Sequence, residues 1–165
     1  MTKEEFENIY NQYFDTIRKY VYYKSGNSDL ATEIAQEVFV KVWEKQFDFK
    51  SKKIVPLLYK IARDQFINHT RREHVKQEYL KDFKLNFREG ITENIIEYKE
   101  LKETYENALA KLSEKQREVF LMSRLETLTY KEIALRLDIT VKAVEKRMSI
   151  TLSELKKKLL SYEKL

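Results

Sequence analysis

Near the C-terminal end of the chain, Lys142, Glu145, Lys146 and Ser149 recur at three- and four-residue spacing, with Arg147 at their flank. On a helix that spacing puts the four on one face. The set suits the major groove of a nucleic-acid duplex. Lysine can donate to guanine edges, glutamate can accept from the cytosine amino group, and the remaining cations can hold phosphates. Residues 130–160 carry eight basic and four acidic side chains, so the surroundings are also electropositive. The solvated face of an ordinary bundle helix has the same polarity, and the pattern alone leaves both readings open.

Residues 59–76 form a second candidate. Lys60, Arg63, Arg71, Arg72 and Lys76 stand against Asp64 and Glu73, interleaved with Tyr59, Phe66, Asn68 and His69. Cations track a phosphate backbone while aromatic and amide groups stack on or pair with exposed bases, a combination that fits single-stranded nucleic acid. The alternative is that Tyr59 and Phe66 fill a core and the arginine pair solvates a helix end. A third candidate has the opposite charge. Asp29, Glu33, Glu37 and Glu44 outnumber Lys41 and Lys45 over residues 28–45, alongside Gln36, Phe39 and Trp43. An acidic helix with a wide apolar surface repels phosphate and suits docking to another protein. Phe39 and Trp43 fit a local core equally well.

Catalytic chemistry finds little to work with. His69 and His74 lie five apart, a poor spacing for one helix face, among basic residues that disfavour a metal ion. There is no cysteine, hence no thiol nucleophile or disulfide, and no glycine-rich phosphate loop. The expectation is a protein that is not an enzyme and has no cofactor.

These candidates need helices to position them. The 165 residues include two glycines and one proline, too few turn formers for a sheet protein, and 42% are hydrophobic. An all-α fold follows. Apolar residues at Phe6, Ile9, Tyr10, Tyr13, Phe14, Ile17 and Val21 predict a first helix, opened by a Thr2/Glu5 capping box and ended at Gly26 and Asn27. A second is predicted from about Ser28 to Lys45, and a third from near Pro56 through Ile67. Residues 77–107 carry eight acidic and five basic groups at no clean period and read as a partly helical linker interrupted at Gly90. Beyond it, Ser113/Gln116 opens a helix expected to bury Val119, Phe120 and Leu125. Thr129/Glu132 opens a short helix, Asp138–Thr140 a turn, and a long helix follows to about Leu160. This is a helix-turn-helix, with Ala134 at the crossing, Asp138 at the left-handed turn position, and Val141, Val144, Met148, Leu152 and Leu155 as the buried stripe. The domains are therefore 1–76 and 108–165, joined by the linker 77–107. The N-terminus lacks a signal-peptide pattern and no apolar run reaches membrane length, so a soluble cytoplasmic protein without membrane insertion is expected.

In this order the segments resemble the extracytoplasmic-function sigma factors, the compact branch of the sigma-70 family. SDLATEIAQEVFVKVWEK is similar to the family's polymerase-binding helix and IVPLLYKIARDQFINHTRR to its promoter-melting segment. LSEKQREVFLMSRLETLTYKEIALRLDITVKAVEKRMSITLSELKKKL is similar to its upstream-element reader. The resemblance implies two small helical domains of region 2 and region 4 type. It also implies that Glu33, Gln36, Glu37, Phe39 and Trp43 contact the clamp helices of the polymerase β′ subunit, with the β flap as a further contact. Tyr59, Arg63, Asp64, Asn68, Arg71 and Arg72 would then engage the −10 element. Thr140, Lys142, Glu145, Lys146, Arg147 and Ser149 would read the −35 element. An anti-sigma protein is a further implied partner. Pro56 stands where the family commonly has tryptophan, and Asp138 where it commonly has glycine.

Two rivals remain at this level. A conventional helix-turn-helix regulator would bind palindromic duplex as a dimer without polymerase. A helical adaptor would use no nucleic-acid face at all. The acidic, tryptophan-bearing helix and the aromatic-basic segment favour the sigma factor, because neither rival requires them.

Overall fold

The computed structural model describes residues 1–47, 54–73 and 95–162, and these form seven helices and no strand. The readings placed on His74, Lys76, Gly90 and linker residues 77–94 lie outside the described residues. The helices are α1 (Lys3–Ser25), α2 (Ser28–Lys45), α3 (Ile54–Glu73), α4 (Ile95–Ala110), α5 (Glu114–Leu125), α6 (Tyr130–Leu137) and α7 (Val141–Tyr162).

Local chemistry sets most of these boundaries. At the start of α1, Thr2 Oγ1 accepts from the Glu5 N–H at 3.1 Å and the Glu5 carboxylate accepts from the Thr2 N–H at 2.7 Å. Two of the helix's orphan donors are satisfied reciprocally. The corner between α1 and α2 takes two residues. Gly26, at φ 67°, ends α1 by donating its N–H to the Tyr22 carbonyl, and Asn27 Oδ1 accepts from the Asp29 and Leu30 N–H groups to begin α2. A left-handed backbone favours glycine and an N-cap gains from a side-chain acceptor, so the order Gly26-Asn27 suits the corner. Pro56 falls in the first turn of α3, where its missing N–H breaks no intrahelical bond. Capping boxes at Ser113/Gln116 and Thr129/Glu132 open α5 and α6. Asp138 ends α6 at φ 53°, and the Ile139 N–H reaches back to the Ala134 carbonyl at 3.0 Å.

The buried apolar residues form one cluster with a part in each half of the chain. In the first, Ile17, Tyr20 and Val21 of α1 meet Ile34, Val38, Phe39 and Val42 of α2 and Leu58 and Ala62 of α3. In the second, Leu109 of α4, Val119, Leu121 and Met122 of α5, Ile133 and Leu137 of α6 and Val144, Met148 and Leu155 of α7 are buried. Ala134 is buried at the helix crossing as expected. Two expected core positions are corrected. Leu125 lies outward in the last turn of α5, and Leu152 lies outward on α7. Thr151 takes the inner position instead, because at 3.6 residues per turn the stripe running from Met148 to Leu155 passes over 151. Its hydroxyl is satisfied by donating to the Arg147 carbonyl at 2.7 Å. Helix α4 runs through residues 107 and 108 and packs against α7.

The two halves touch. Helix α1 packs on α5 and α3 on α6.

Candidate nucleic-acid interface

Helix α7 is positioned from both ends of the α6–α7 corner. Thr140 Oγ1 accepts from the Ala143 N–H at 3.1 Å and its carbonyl accepts from the Ala143 and Val144 N–H groups, so Thr140 serves as the N-cap of α7. Val144 and Met148 lock the helix onto the core. The opposite face is exposed, and Lys142, Glu145, Lys146 and Ser149 stand on it together with Thr140. Arg147 departs from that group. It is half-buried and its guanidinium donates to Glu118 of α5 at 3.2 Å.

The candidates on α3 divide in the same way. Asp64, Asn68, Arg71 and Arg72 are exposed and Arg63 is half-buried along one stretch of the helix. Tyr59 is not on that surface. It is 2% exposed, its ring packs on Tyr20 at 4.7 Å between centroids, and its hydroxyl accepts from Arg136 of α6 at 3.1 Å. Burial, and then the Glu126 carboxylate, push the Tyr59 phenol up to about 12, with Arg136 pulling the other way. Phe66 is buried as well.

On α2, Glu33, Gln36 and Glu37 are exposed, Trp43 is 42% exposed, and Phe39 is only 1% exposed. Phe39 sits inside an aromatic cluster, with Tyr10 at 5.1 Å, Phe14 at 5.9 Å and Phe6 at 6.4 Å. Trp43 lies edge-on to Phe6 at 5.1 Å. Together with Val40 and Tyr10 these rings line an open apolar groove of about 580 Å³ between α1 and α2, with Glu7, Gln36 and Glu44 at its edge. Glu37 is held in place by the Gln65 amide of α3 at 2.7 Å, whose oxygen accepts from Lys41 at 2.6 Å. The acidic surface is thereby tied to the basic helix behind it.

A buried polar network among the described residues lies outside the sequence candidates. Arg117 of α5 is 1% exposed and donates to five carbonyls. It reaches Tyr23 at 2.6 Å and Lys24 at 2.7 Å, at the C-terminal end of α1. It also reaches Leu112 at 3.0 Å, Leu109 at 3.4 Å and Ala110 at 3.5 Å, at the end of α4. One guanidinium thus satisfies the orphan carbonyls of two helices, where the helix dipoles are negative. Burial lowers Arg117 to about 10, with Glu114 and Glu118 pulling it back up, and the group stays charged at neutral pH. Next to it the buried Lys24 ammonium bonds Glu118 at 2.8 Å, lies 3.9 Å from Glu114, and stands 5.5 Å from the ring centroids of both Tyr20 and Phe66. Glu118 therefore holds Lys24 across the interface with one oxygen and Arg147 with the other. No local sequence pattern signals this network, because Lys24 and Glu118 are 94 residues apart.

Two family models match the chain, Sigma-70 region 2 over residues 9–75 and Sigma-70, region 4 over residues 102–155. The chain belongs to the sigma-70 family. The first match takes in α2 and α3, and the second takes in α5, α6 and α7 as far as residue 155. RNA polymerase sigma factor YlaC of Bacillus subtilis is 28% identical over 94% of this chain and 92% of its own length. ECF RNA polymerase sigma factor SigW of the same organism is 29% identical over 95% of this chain and 90% of its own. Ferric citrate uptake sigma factor FecI of Escherichia coli is 28% identical over 86% of this chain and 83% of its own. Among solved structures, the sigma factor RpoE of Bartonella quintana, crystallised with the anti-sigma factor NepR, shares the fold. Its TM-score is 0.63 at 22% identity, covering 94% of this chain and 97% of that one. The sigma-factor reading and the all-α, two-region architecture both stand. Among the described residues no helix is long and apolar enough to cross a membrane.

Proposed function

We propose that this sigma factor docks on core RNA polymerase through α2, engages the −10 element through α3 and reads the −35 element through α7, leaving the chemistry to the polymerase. The observation that carries the reading is the segregation of charge by helix. An acidic helix with an apolar groove beside it lies in the first bundle, whereas α3 exposes Lys60, Arg71 and Arg72 and α7 exposes Lys142 and Lys146. Phosphate is repelled from the first surface and attracted to the other two.

At the level of residues, Glu33, Gln36, Glu37 and Trp43 offer the polymerase-facing surface, and Phe39 backs it from within the aromatic cluster through Phe6, whose ring packs on both. Arg63, Asp64, Asn68, Arg71 and Arg72 face the −10 strand. Lys142, Glu145, Lys146 and Ser149 face the −35 bases, with Thr140 fixing the helix start. The units 1–76 and 108–165 serve as the two DNA-binding domains, and α4 joins the second through its packing on α7. Core polymerase, promoter DNA and an anti-sigma protein are the partners, and the cytoplasm is the compartment where they meet.

The test adds the purified chain to core polymerase and maps transcription starts across a genome. Specific starts that require the chain are expected. Absence of binding to core polymerase would remove the proposal. Within the same assay, Trp43→Ala should weaken polymerase binding while the helical circular dichroism is retained, since the ring is partly exposed. Phe39→Ala should instead cost about 3–5 kcal/mol of fold stability.

A further inference from the structure

An aliphatic side chain stands on the polar face of α7. Ile150 is 43% exposed and follows Ser149 in the chain. At 3.6 residues per turn it lies one turn beyond Lys146 and about 40° from it around the helix axis. The line opposite the buried Val144, Met148, Thr151 and Leu155 therefore passes closer to Ile150 than to Glu145. Two other exposed apolar residues of α7, Leu152 and Leu160, line a groove with Tyr105 and Phe120 on another side of the helix. Among the described residues Ile150 belongs neither to that groove nor to the apolar cluster.

The chemistry of a major groove narrows what such a side chain can meet. Base edges there are hydrogen-bonding groups, and the apolar group they carry is the 5-methyl of thymine. Pressed on an amino or carbonyl edge, an isoleucine would displace water without replacing its hydrogen bonds, which costs free energy. Pressed on a thymine methyl, it removes two apolar surfaces from water at once. The β-branch also restricts rotation about χ1 in a helix, so the side chain has little freedom left to lose on contact.

We infer that Ile150 is a specificity-determining residue of the −35 reader, and that it packs on the 5-methyl group of a thymine in the major groove. The inference rests on the proposed function, which places α7 in that groove. With α7 lying along the groove, the four residues from Lys146 to Ile150 advance about 6 Å, or about two base pairs at about 3.4 Å each. The thymine therefore lies within about two base pairs of the base that Lys146 reads. The two side chains divide the reading between them, Lys146 by donating a hydrogen bond and Ile150 by apolar contact.

The test uses the full chain bound to core polymerase and promoter duplexes in which single thymines of the −35 element, on either strand, are replaced by deoxyuridine. That replacement removes the 5-methyl and leaves every hydrogen-bonding group in place. For the unaltered chain, one such replacement near the Lys146 contact should weaken binding about fourfold, equivalent to about 0.8 kcal/mol. Ile150→Ala should weaken binding to the thymine duplex by at least that factor and should bind the thymine and deoxyuridine duplexes equally. Ile150→Val, which keeps the branch, should retain part of the discrimination. A change that only loosened α7 would weaken both duplexes alike and leave the fourfold difference between them. A deoxyuridine penalty that survives Ile150→Ala, no penalty at any position, or a −35 element without a thymine in reach would each overturn the inference. Those results leave the proposed function standing if base preference at the Lys146 contact persists. Absence of base preference anywhere in the element would remove the reading by α7, and the role of Ile150 with it.

Discussion

Replacing Arg117 with methionine keeps an unbranched side chain of similar length and removes every donor. Five carbonyls then lose a partner, three of them bonded at 3.0 Å or less. A hydrogen bond from a charged donor contributes about 1.5–3 kcal/mol net, and a buried carbonyl left unsatisfied costs about 1–3 kcal/mol. The three short bonds set the scale, and because they share one side chain their losses do not add. The expected loss is about 4 kcal/mol, a large part of the roughly 8–25 kcal/mol that a chain of this length commands. The consequence extends beyond the magnitude, since Arg117 ties the end of α1 to α5. Urea unfolding followed by circular dichroism reports all helices, while fluorescence of Trp43, the one tryptophan, reports the first bundle. The two curves should coincide in the unaltered chain and separate in Arg117→Met. A loss below about 1 kcal/mol with curves that still coincide would refute the capping role.

Base reading by α7 and phosphate contact by α3 should be separable. Lys146→Ala should cost about 1–3 kcal/mol on particular −35 sequences, whereas Arg72→Ala should weaken promoter binding uniformly and flatten its salt dependence. Equal loss from Lys146→Ala on every −35 variant, measured with the polymerase complex, would argue against base reading. At alkaline pH the buried phenols should destabilise the fold. The Tyr59 phenol is held up to about 12 by burial, and Tyr20 and Tyr23 are raised by the same cause, so between pH 10 and 12 the native state binds more protons than the unfolded chain. Stability present below pH 10 is then lost as pH rises through that window, by roughly 2–3 kcal/mol for Tyr59 alone. Arg117, lowered to about 10, works in the opposite direction. Tyrosinate absorbance during alkaline unfolding should show a cooperative rise in which Tyr59→Phe removes part of the amplitude, and a titration with no late-ionising phenols would contradict the burial.

The helices and their ends were legible in the sequence because the signals are local. Thr2 with Glu5, Asn27, Ser113 with Gln116, and Thr129 with Glu132 each act within three residues. The exposed face of α7 was legible too, since a helix fixes which side chains share a side. Which aromatic rings reach the surface was not. Phe39 and Trp43 occupy one line of α2, yet only Trp43 emerges, because Tyr10, Phe14 and Phe6 of α1 close over Phe39. Leu152 and Thr151 are separated by a fraction of a turn that periodicity cannot resolve, and packing chose the threonine. Tyr59 and Arg147 read as members of nucleic-acid surfaces, but Arg136 and Glu118 withdraw them into contacts with the rest of the fold. Those contacts, together with Arg117 and Lys24, join residues tens of positions apart, and their charges are indistinguishable in sequence from solvated ones. The chain's order of residues determined the helices, the charge of each face and the family. Tertiary structure alone decided that the two bundles close on each other, because a buried ion pair exists only once both partners have been brought out of water together.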